Sequence, residues 1–150
     1  MAYTLQALLG QSKKLNGASV EGTHLVPLLS GISMFPLGRA FLEAHGAPFL
    51  PLTDTGDYSL PSTIAEVCSQ LAERGEVAYV EAELHGGDGT QACVMFHRGG
   101  SHDPPRIAID AINFALRALG VRPPVGDDEF SAVGLAAHRD TEEWLLSAGA

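Results

Sequence analysis

The chain has 150 residues, of which 45% are apolar and only 18% charged, against the roughly 25% charged that is usual. Eighteen acidic residues against nine basic give a net charge of −9, which disfavours nucleic acid and anionic membranes as partners because such a surface releases no counterions from them. A chain of this length folds as one domain and buries about two thirds of its unfolded surface, so it requires no disulfide or metal to fold.

Met1 to Gly10 has no basic stretch before an apolar run and no small-residue cleavage site. A signal peptide is therefore not expected. No apolar run approaches the roughly 18 residues of a membrane span, so a cytoplasmic location without a membrane partner is expected. The two cysteines, Cys68 and Cys93, fall in a helical and a strand pattern respectively and are expected to be reduced thiols. Charge is unevenly spread. Residues 1–50 are nearly neutral, whereas 51–100 and 101–150 each hold eight acids, against two and four arginines.

Along the chain, Tyr3 to Leu9 fits either a strand or a short helix, and Asn16-Gly17 signals a turn. His24 to Phe35 is apolar but broken by Pro27 and Gly31, which predicts one or two short strands. Leu37 to Ala44 reads as a helix stopped at His45-Gly46, and 46–61 as loop. Thr63 with Glu66 reads as a capping box opening a helix that ends at Arg74-Gly75, with Ile64, Val67, Cys68 and Leu71 on one face. Strands are predicted over about 77–84 and 91–97, around a glycine-rich turn. A helix follows over Ala108 to Leu119 with Ile109, Ile112, Leu116 and Leu119 inward. Asp140 to Ser147 makes a last helix, opened by Asp140 with Glu143. This order predicts a single α+β domain: a small antiparallel sheet with a central hairpin, covered by helices on one side.

The hairpin register decides which side chains share a face. Pairing His85 with Thr90 sets Glu81 and Glu83 beside apolar residues. A loop one residue longer pairs His85 with Gln91, Glu83 with Cys93 and Glu81 with Met95, and leaves a uniformly apolar opposite face. The second register is expected. It presents Tyr79, Glu81, Glu83, His85, Gln91, Cys93 and His97 on one polar face, with Asp88 in the loop; together these are the candidate binding residues.

Other patterns are weaker. Asp54-Thr55-Gly56 matches an aspartic-protease tripeptide but lacks that enzyme's surrounding β-structure. His85-Gly86-Gly87-Asp88-Gly89 is followed by a strand, not the helix a phosphate loop opens. His138-Arg139-Asp140 matches a kinase tripeptide without the kinase glycine loop. His85, Asp88, His97, His102 and Asp103 converge on a metal only if the loop after Phe96 folds back, and no metal-ligand spacing is present. Cys93 beside His85 is a candidate thiolate pair. Trp144 is expected as a core anchor. No catalytic residue, metal or cofactor is assigned.

Two stretches carry a resemblance: Glu81-Ala-Glu-Leu-His-Gly-Gly-Asp-Gly-Thr-Gln91, and Asp128-Glu-Phe-Ser-Ala-Val-Gly-Leu-Ala-Ala-His-Arg-Asp-Thr-Glu-Glu-Trp144. They resemble small bacterial cytosolic proteins with E-A-E-x-x-G-G-x-G-x-Q followed by D-E-F…G-L…H-R-x-T-E-x-W. Acidic proteins of this size look like immunity proteins, which bind and block a toxin of the same cell, and that analogy implies a basic protein partner. The leading expectation is a non-enzymatic acidic binding protein using Glu81, Glu83, Asp88 and Asp127 to Glu129. The alternatives are a small hydrolase or metal-dependent enzyme on the polar hairpin face, and a homo-oligomeric subunit packing through His24 to Leu52.

Overall fold

The computed structural model describes residues 2–54, 59–86 and 88–148. Its centre is β1 (Ala2–Gln11), in which every residue from Leu5 to Gly10 is buried. Such a run, apolar at nearly every position, belongs to a strand covered on both faces. On one edge β1 pairs with β3 (Ile32–Pro36), and β2 (Val26–Pro27) lies outside it. On the other edge it pairs over nine positions with β4 (Val77–His85), followed by β5 (Asp88–Phe96) and β6 (Arg106–Ile107). The result is an antiparallel six-stranded sheet in the order β2-β3-β1-β4-β5-β6. The α+β class read from the sequence holds.

Helices cover both faces of this sheet, not one. On the first face Leu5, Ala7, Leu9, Val80 and Met95 pack against α4 (Ala111–Ala118), the 3-10 turn Leu135–Ala137 and α6 (Thr141–Ala148) through Ile112, Leu116, Leu135 and Trp144. Residues of α5 (Glu129–Ala132) join this layer through Ala132. On the second face Leu8, Val77, Tyr79, Val94 and Phe96 pack against α1 (Ser12–Leu15), α2 (Arg39–His45) and α3 (Ser62–Ala72) through Leu15, Phe41, Ile64, Cys68 and Leu71.

Two-sided cover corrects the hairpin register. His85 pairs with Asp88, Glu83 with Thr90, Glu81 with Ala92 and Tyr79 with Val94. This is the parity of the rejected register, with a tighter turn. The expected register assumed that one face of the hairpin met water. Val77 to Ala82 are buried throughout, so alternation of apolar and polar residues has no solvent face to report. Gln91 and Cys93 accordingly lie on the first face, opposite to Tyr79, Glu81 and Glu83.

Helix ends follow their local chemistry with two exceptions. Gly46 takes the left-handed conformation (φ 61°) that stops α2. Asp140 accepts the Glu143 N–H (2.9 Å) and Glu143 accepts the Arg139 N–H (2.9 Å), a reciprocal cap at α6. The first exception is α3, whose cap is Pro61 without any side-chain bond, while the Thr63 hydroxyl is buried with no partner among the described residues. The predicted Thr63–Glu66 capping box does not form. The second is α4, which starts at Ala111 and leaves Ile109 80% exposed instead of inward. In the stretch from His24 to Leu52, expected as a self-packing surface, Val26, Ile32, Met34, Phe35, Phe41 and Leu52 belong to the two cores, while Leu29 and Phe49 stay exposed.

The tight turn sets different demands on its glycines. A Cβ on Gly89 (φ +140°) would lie 2.1 Å from the Glu83 carbonyl oxygen and 2.7 Å from Leu84 Cα, whereas one on Gly86 (φ +57°) meets nothing within 4 Å. Gly86→Ala is expected to cost about 1–2 kcal/mol, the left-handed penalty alone. Gly89→Ala, a clash with backbone, is expected to cost more than about 3 kcal/mol. Urea denaturation of the two variants measures the difference, and equal losses would contradict the observed pairing.

Candidate functional site

The seven residues expected on one polar face do not share one. Tyr79 and Glu81 are buried on the second face, fully removed from solvent. Glu83 is half-buried on the same face nearer the hairpin tip, where His85 and Asp88 are exposed. On the first face Gln91 accepts the Ile112 N–H (3.0 Å). Cys93 is buried there, with its thiol pushed up to about 11 by burial, so it stays protonated at neutral pH and faces away from His85. His97 follows the far end of β5, a nine-residue strand and therefore roughly 30 Å from the tip at ~3.3 Å per residue. The loop after Phe96 does not return to His85 and Asp88. No group of three His, Cys, Asp or Glu that could hold a metal occurs among the described residues. In the Asp54-Thr55-Gly56 tripeptide Asp54 is an exposed turn residue, and Thr55 and Gly56 lie outside the described residues.

Glu81 organises a buried polar network. Its carboxylate accepts the Leu52 N–H (3.1 and 3.2 Å), the Thr53 N–H (2.8 Å), the Thr53 hydroxyl (2.9 Å) and the Tyr79 hydroxyl (2.5 Å). The Tyr79 oxygen in turn accepts from Gln6 Nε2 (2.9 Å), which also donates to the Pro48 carbonyl (3.2 Å), while Gln6 Oε1 accepts the Leu50 N–H (3.2 Å). Burial first, and the Glu81 charge second, hold the Tyr79 phenol well above its ordinary range. The network fastens the 48–53 segment to the sheet and holds Leu50 at φ 43°, a left-handed conformation costly for leucine. Gln6 and the 48–53 segment were not expected as partners. The available signal was a carboxylate flanked by Val80 and Ala82 within the largely apolar run Val77 to Ala82, which must find donors if buried.

A groove opens beside this segment because β3 is shorter than β1. Pairing between them spans Ala7 to Gln11 and ends at Pro36, which has no N–H to offer. Below that point the edge of β1 is served by the C-terminal region. Thr4 N–H donates to the Arg139 carbonyl (2.8 Å), Gln6 N–H donates to the Thr141 hydroxyl (3.1 Å), and Gln6 accepts the Leu37 N–H (2.8 Å). This docking brings α6 against the start of α2, where Glu142 accepts the Arg39 N–H (3.2 Å). Gly38 makes the approach feasible, since a Cβ there would lie 2.0 Å from a Glu142 oxygen and 2.6 Å from Leu145 Cδ1. The groove has a volume of about 430 Å³ and is lined by Thr4, Leu37, Gly38, Arg39, Leu42, Phe49, Asp140, Thr141 and Glu142.

The antiparallel topology also sorts charge by sheet end. Glu83, Asp88, Asp140, Glu142 and Glu143 lie toward the half carrying the hairpin tip, with Arg39 and Arg139 beside the last three: Glu83 pairs with Thr4, and Thr4 bridges to Asp140. None of these carboxylates is in an ion pair among the described residues. Lys13, Lys14, Arg74, Arg98 and Arg122 lie toward the other end, after β1, α3, β5 and α4. Asp127 to Glu129 are otherwise engaged: Asp127 accepts the Asp128 N–H (3.1 Å), Asp128 caps α5 (2.9 Å to the Ser131 N–H), and Glu129 pairs with Arg117 (3.0 Å).

At that opposite end the two ring nitrogens of His97 lie 2.8 Å from Glu76 and 3.1 Å from Asp103, so that the protonated ring donates to both. The Asp103 bond, followed by the weaker contribution of Glu76, raises its pKa above the ordinary value. No family model, curated protein or solved structure matches the chain.

Two expectations follow from these geometries. Glu81→Gln places an amide N–H among donors, and Tyr79→Phe removes one acceptor from Gln6 Nε2 and one donor from the Glu81 carboxylate, leaving them the Pro48 carbonyl and the Leu52 N–H; each is expected to lower unfolding free energy by about 1–3 kcal/mol, read by urea denaturation. For His97, the folded pKa is the raised one, so its ion pairs stabilise fully below about 6.5 and the contribution fades as pH rises through the folded value. The groups are substantially exposed, which keeps the effect on stability small, but the ring resonances resolve it. Asp103→Asn is expected to lower the titration midpoint more than Glu76→Gln does.

Proposed function

We propose that the protein is a non-enzymatic binding protein that presents the acidic half of its sheet, around the hairpin tip, to a basic protein partner in the manner of an immunity protein. The observation that carries this reading is the gathering of Glu83, Asp88, Asp140, Glu142 and Glu143 at one end of the fold, none of them in an ion pair among the described residues. Carboxylates so placed speed association with a positively charged surface and select against acidic competitors. The buried members of the sequence-derived set serve the fold instead: Glu81 anchors the 48–53 segment and Cys93 is a protonated core thiol. The same burial removes support for hydrolysis on the hairpin face.

A self-associating subunit is favoured by one separate feature. Ile107, Ile109 and Phe114 are exposed at 40, 80 and 42% in and after β6, and neighbouring exposed apolar side chains mark surfaces that associate. Light scattering at several protein concentrations tests it.

Zero-length carbodiimide coupling in the native cell tests the main reading, because it joins carboxylates to lysines in direct contact. The expected products link Glu83, Asp88, Asp140, Glu142 or Glu143 to lysines of a basic protein, and Glu83→Gln with Asp88→Asn reduces them. Rising salt should weaken the complex. Products that map instead to carboxylates of the opposite end, or to an acidic protein, would overturn it.

A further inference from the structure

We propose that the groove between α2, α6 and the 48–50 segment binds a small zwitterion with an apolar side chain, of which a free hydrophobic amino acid is the simplest member. This inference does not depend on the protein partner proposed above. The volume of about 430 Å³ falls within the range of roughly 300–1,000 Å³ typical of small-molecule clefts. Its apolar wall is Leu37, Leu42 and Phe49, and Phe49 remains 50% exposed although its neighbours Leu50 and Leu52 are buried. An aromatic ring kept half in water beside a cleft is a contact surface awaiting an apolar group.

The polar lining has both signs. Asp140 uses one carboxylate oxygen to cap α6, and Glu142 uses one to accept the Arg39 N–H; the second oxygen of each has no partner among the described residues. The Arg39 guanidinium likewise forms no ion pair or hydrogen bond among them, only its backbone N–H being engaged. A guanidinium can take a ligand carboxylate in a bidentate manner, while the two free carboxylate oxygens take an ammonium. A purely apolar ligand would leave all three groups unused. A dianion would meet Asp140 and Glu142, and a polyamine would meet Arg39. A zwitterion satisfies both signs and lays its side chain on Leu42 and Phe49. The lining is fixed before binding: Gly38 seats Glu142, the α6 cap seats Asp140, and the Gln6 amide holds Leu50 next to Phe49.

Amide NMR of the full chain titrated with L-phenylalanine and L-leucine tests the assignment. The expected result is saturable shifts at Arg39, Phe49 and Glu142 for either amino acid. N-acetyl-L-phenylalanine, which lacks the ammonium, phenethylamine, which lacks the carboxylate, and glycine, which lacks the side chain, should each bind at least about tenfold more weakly, about 1.4 kcal/mol. Arg39→Gln should weaken L-phenylalanine about tenfold while leaving phenethylamine unchanged. Phe49→Ala, at an exposed position that should not impair folding, should weaken both. The proposal is overturned by absence of shifts with both amino acids at millimolar concentrations, by equal binding of the acetylated or decarboxylated probes, or by shifts confined to residues outside the groove. Carbodiimide coupling at the hairpin tip is unaffected by any of these outcomes, so the two readings fail separately.

Discussion

The fold depends on keeping one carboxylate dry. Glu81 sits in the middle of β4, fully buried, and an isolated buried charge costs far more than a domain of this size can spare. No cation lies against it in any described ion pair. The compensation comes from donors: two backbone N–H groups, one threonine hydroxyl and one phenol. Because the backbone donors belong to Leu52 and Thr53, satisfying Glu81 requires the 48–53 segment to lie flat on the sheet. Gln6 extends the same requirement to β1 and to Pro48. A loop with few regular hydrogen bonds of its own is thereby fixed by groups on the two central strands.

That arrangement explains which parts of the fold the sequence discloses. Elements with end signals are legible: α2 with its Gly46 stop, α6 with its Asp140 and Glu143 cap, and the turn between β4 and β5. Their determinants lie within a few residues of each other. The hairpin parity is not legible, because alternation identifies a face only when one side meets water. In β4 the residues Tyr79 and Glu81 look solvent-facing by composition, yet they lie under the layer that contains α3 and the 48–53 segment. Their donors come from sequence positions 6 and 48–53, and no local pattern announces such distant partners. The Thr63–Glu66 capping box fails for the complementary reason, since Pro61 takes the cap position and Thr63 is drawn into the interior.

The candidate site follows from a mismatch of strand lengths. β1 has ten residues and β3 five, so half of one edge of β1 is left without a strand. Thr4 and Gln6 would there carry buried, unpaired N–H groups, each a cost comparable to a lost hydrogen bond. The Arg139–Thr141 segment answers them with a carbonyl and a hydroxyl. A segment that supplies only two such contacts cannot cover the edge as a full strand would, and the space left between it, α2 and Phe49 is the groove. The residues lining it come from four separate regions of the chain, which is why composition and spacing did not bring them together.

Charge takes its functional meaning from topology in the same way. By sequence the acids belong to the last hundred residues, an arrangement that suggests an acidic half-molecule divided across the chain. Antiparallel strands return each stretch of sequence to both ends of the sheet, so a division along the chain need not become a division in space. Here it does in part, along a different axis: the hairpin tip and the α6 start gather five carboxylates beside Arg39 and Arg139, while the segments following β1, α3, α4 and β5 carry Lys13, Lys14, Arg74, Arg98 and Arg122 to the other end. A net charge of −9 spread evenly would steer a partner toward the molecule without orienting it. Five carboxylates outside any ion pair toward one end, with Lys13, Lys14, Arg74, Arg98 and Arg122 toward the other, add an orienting torque to that attraction.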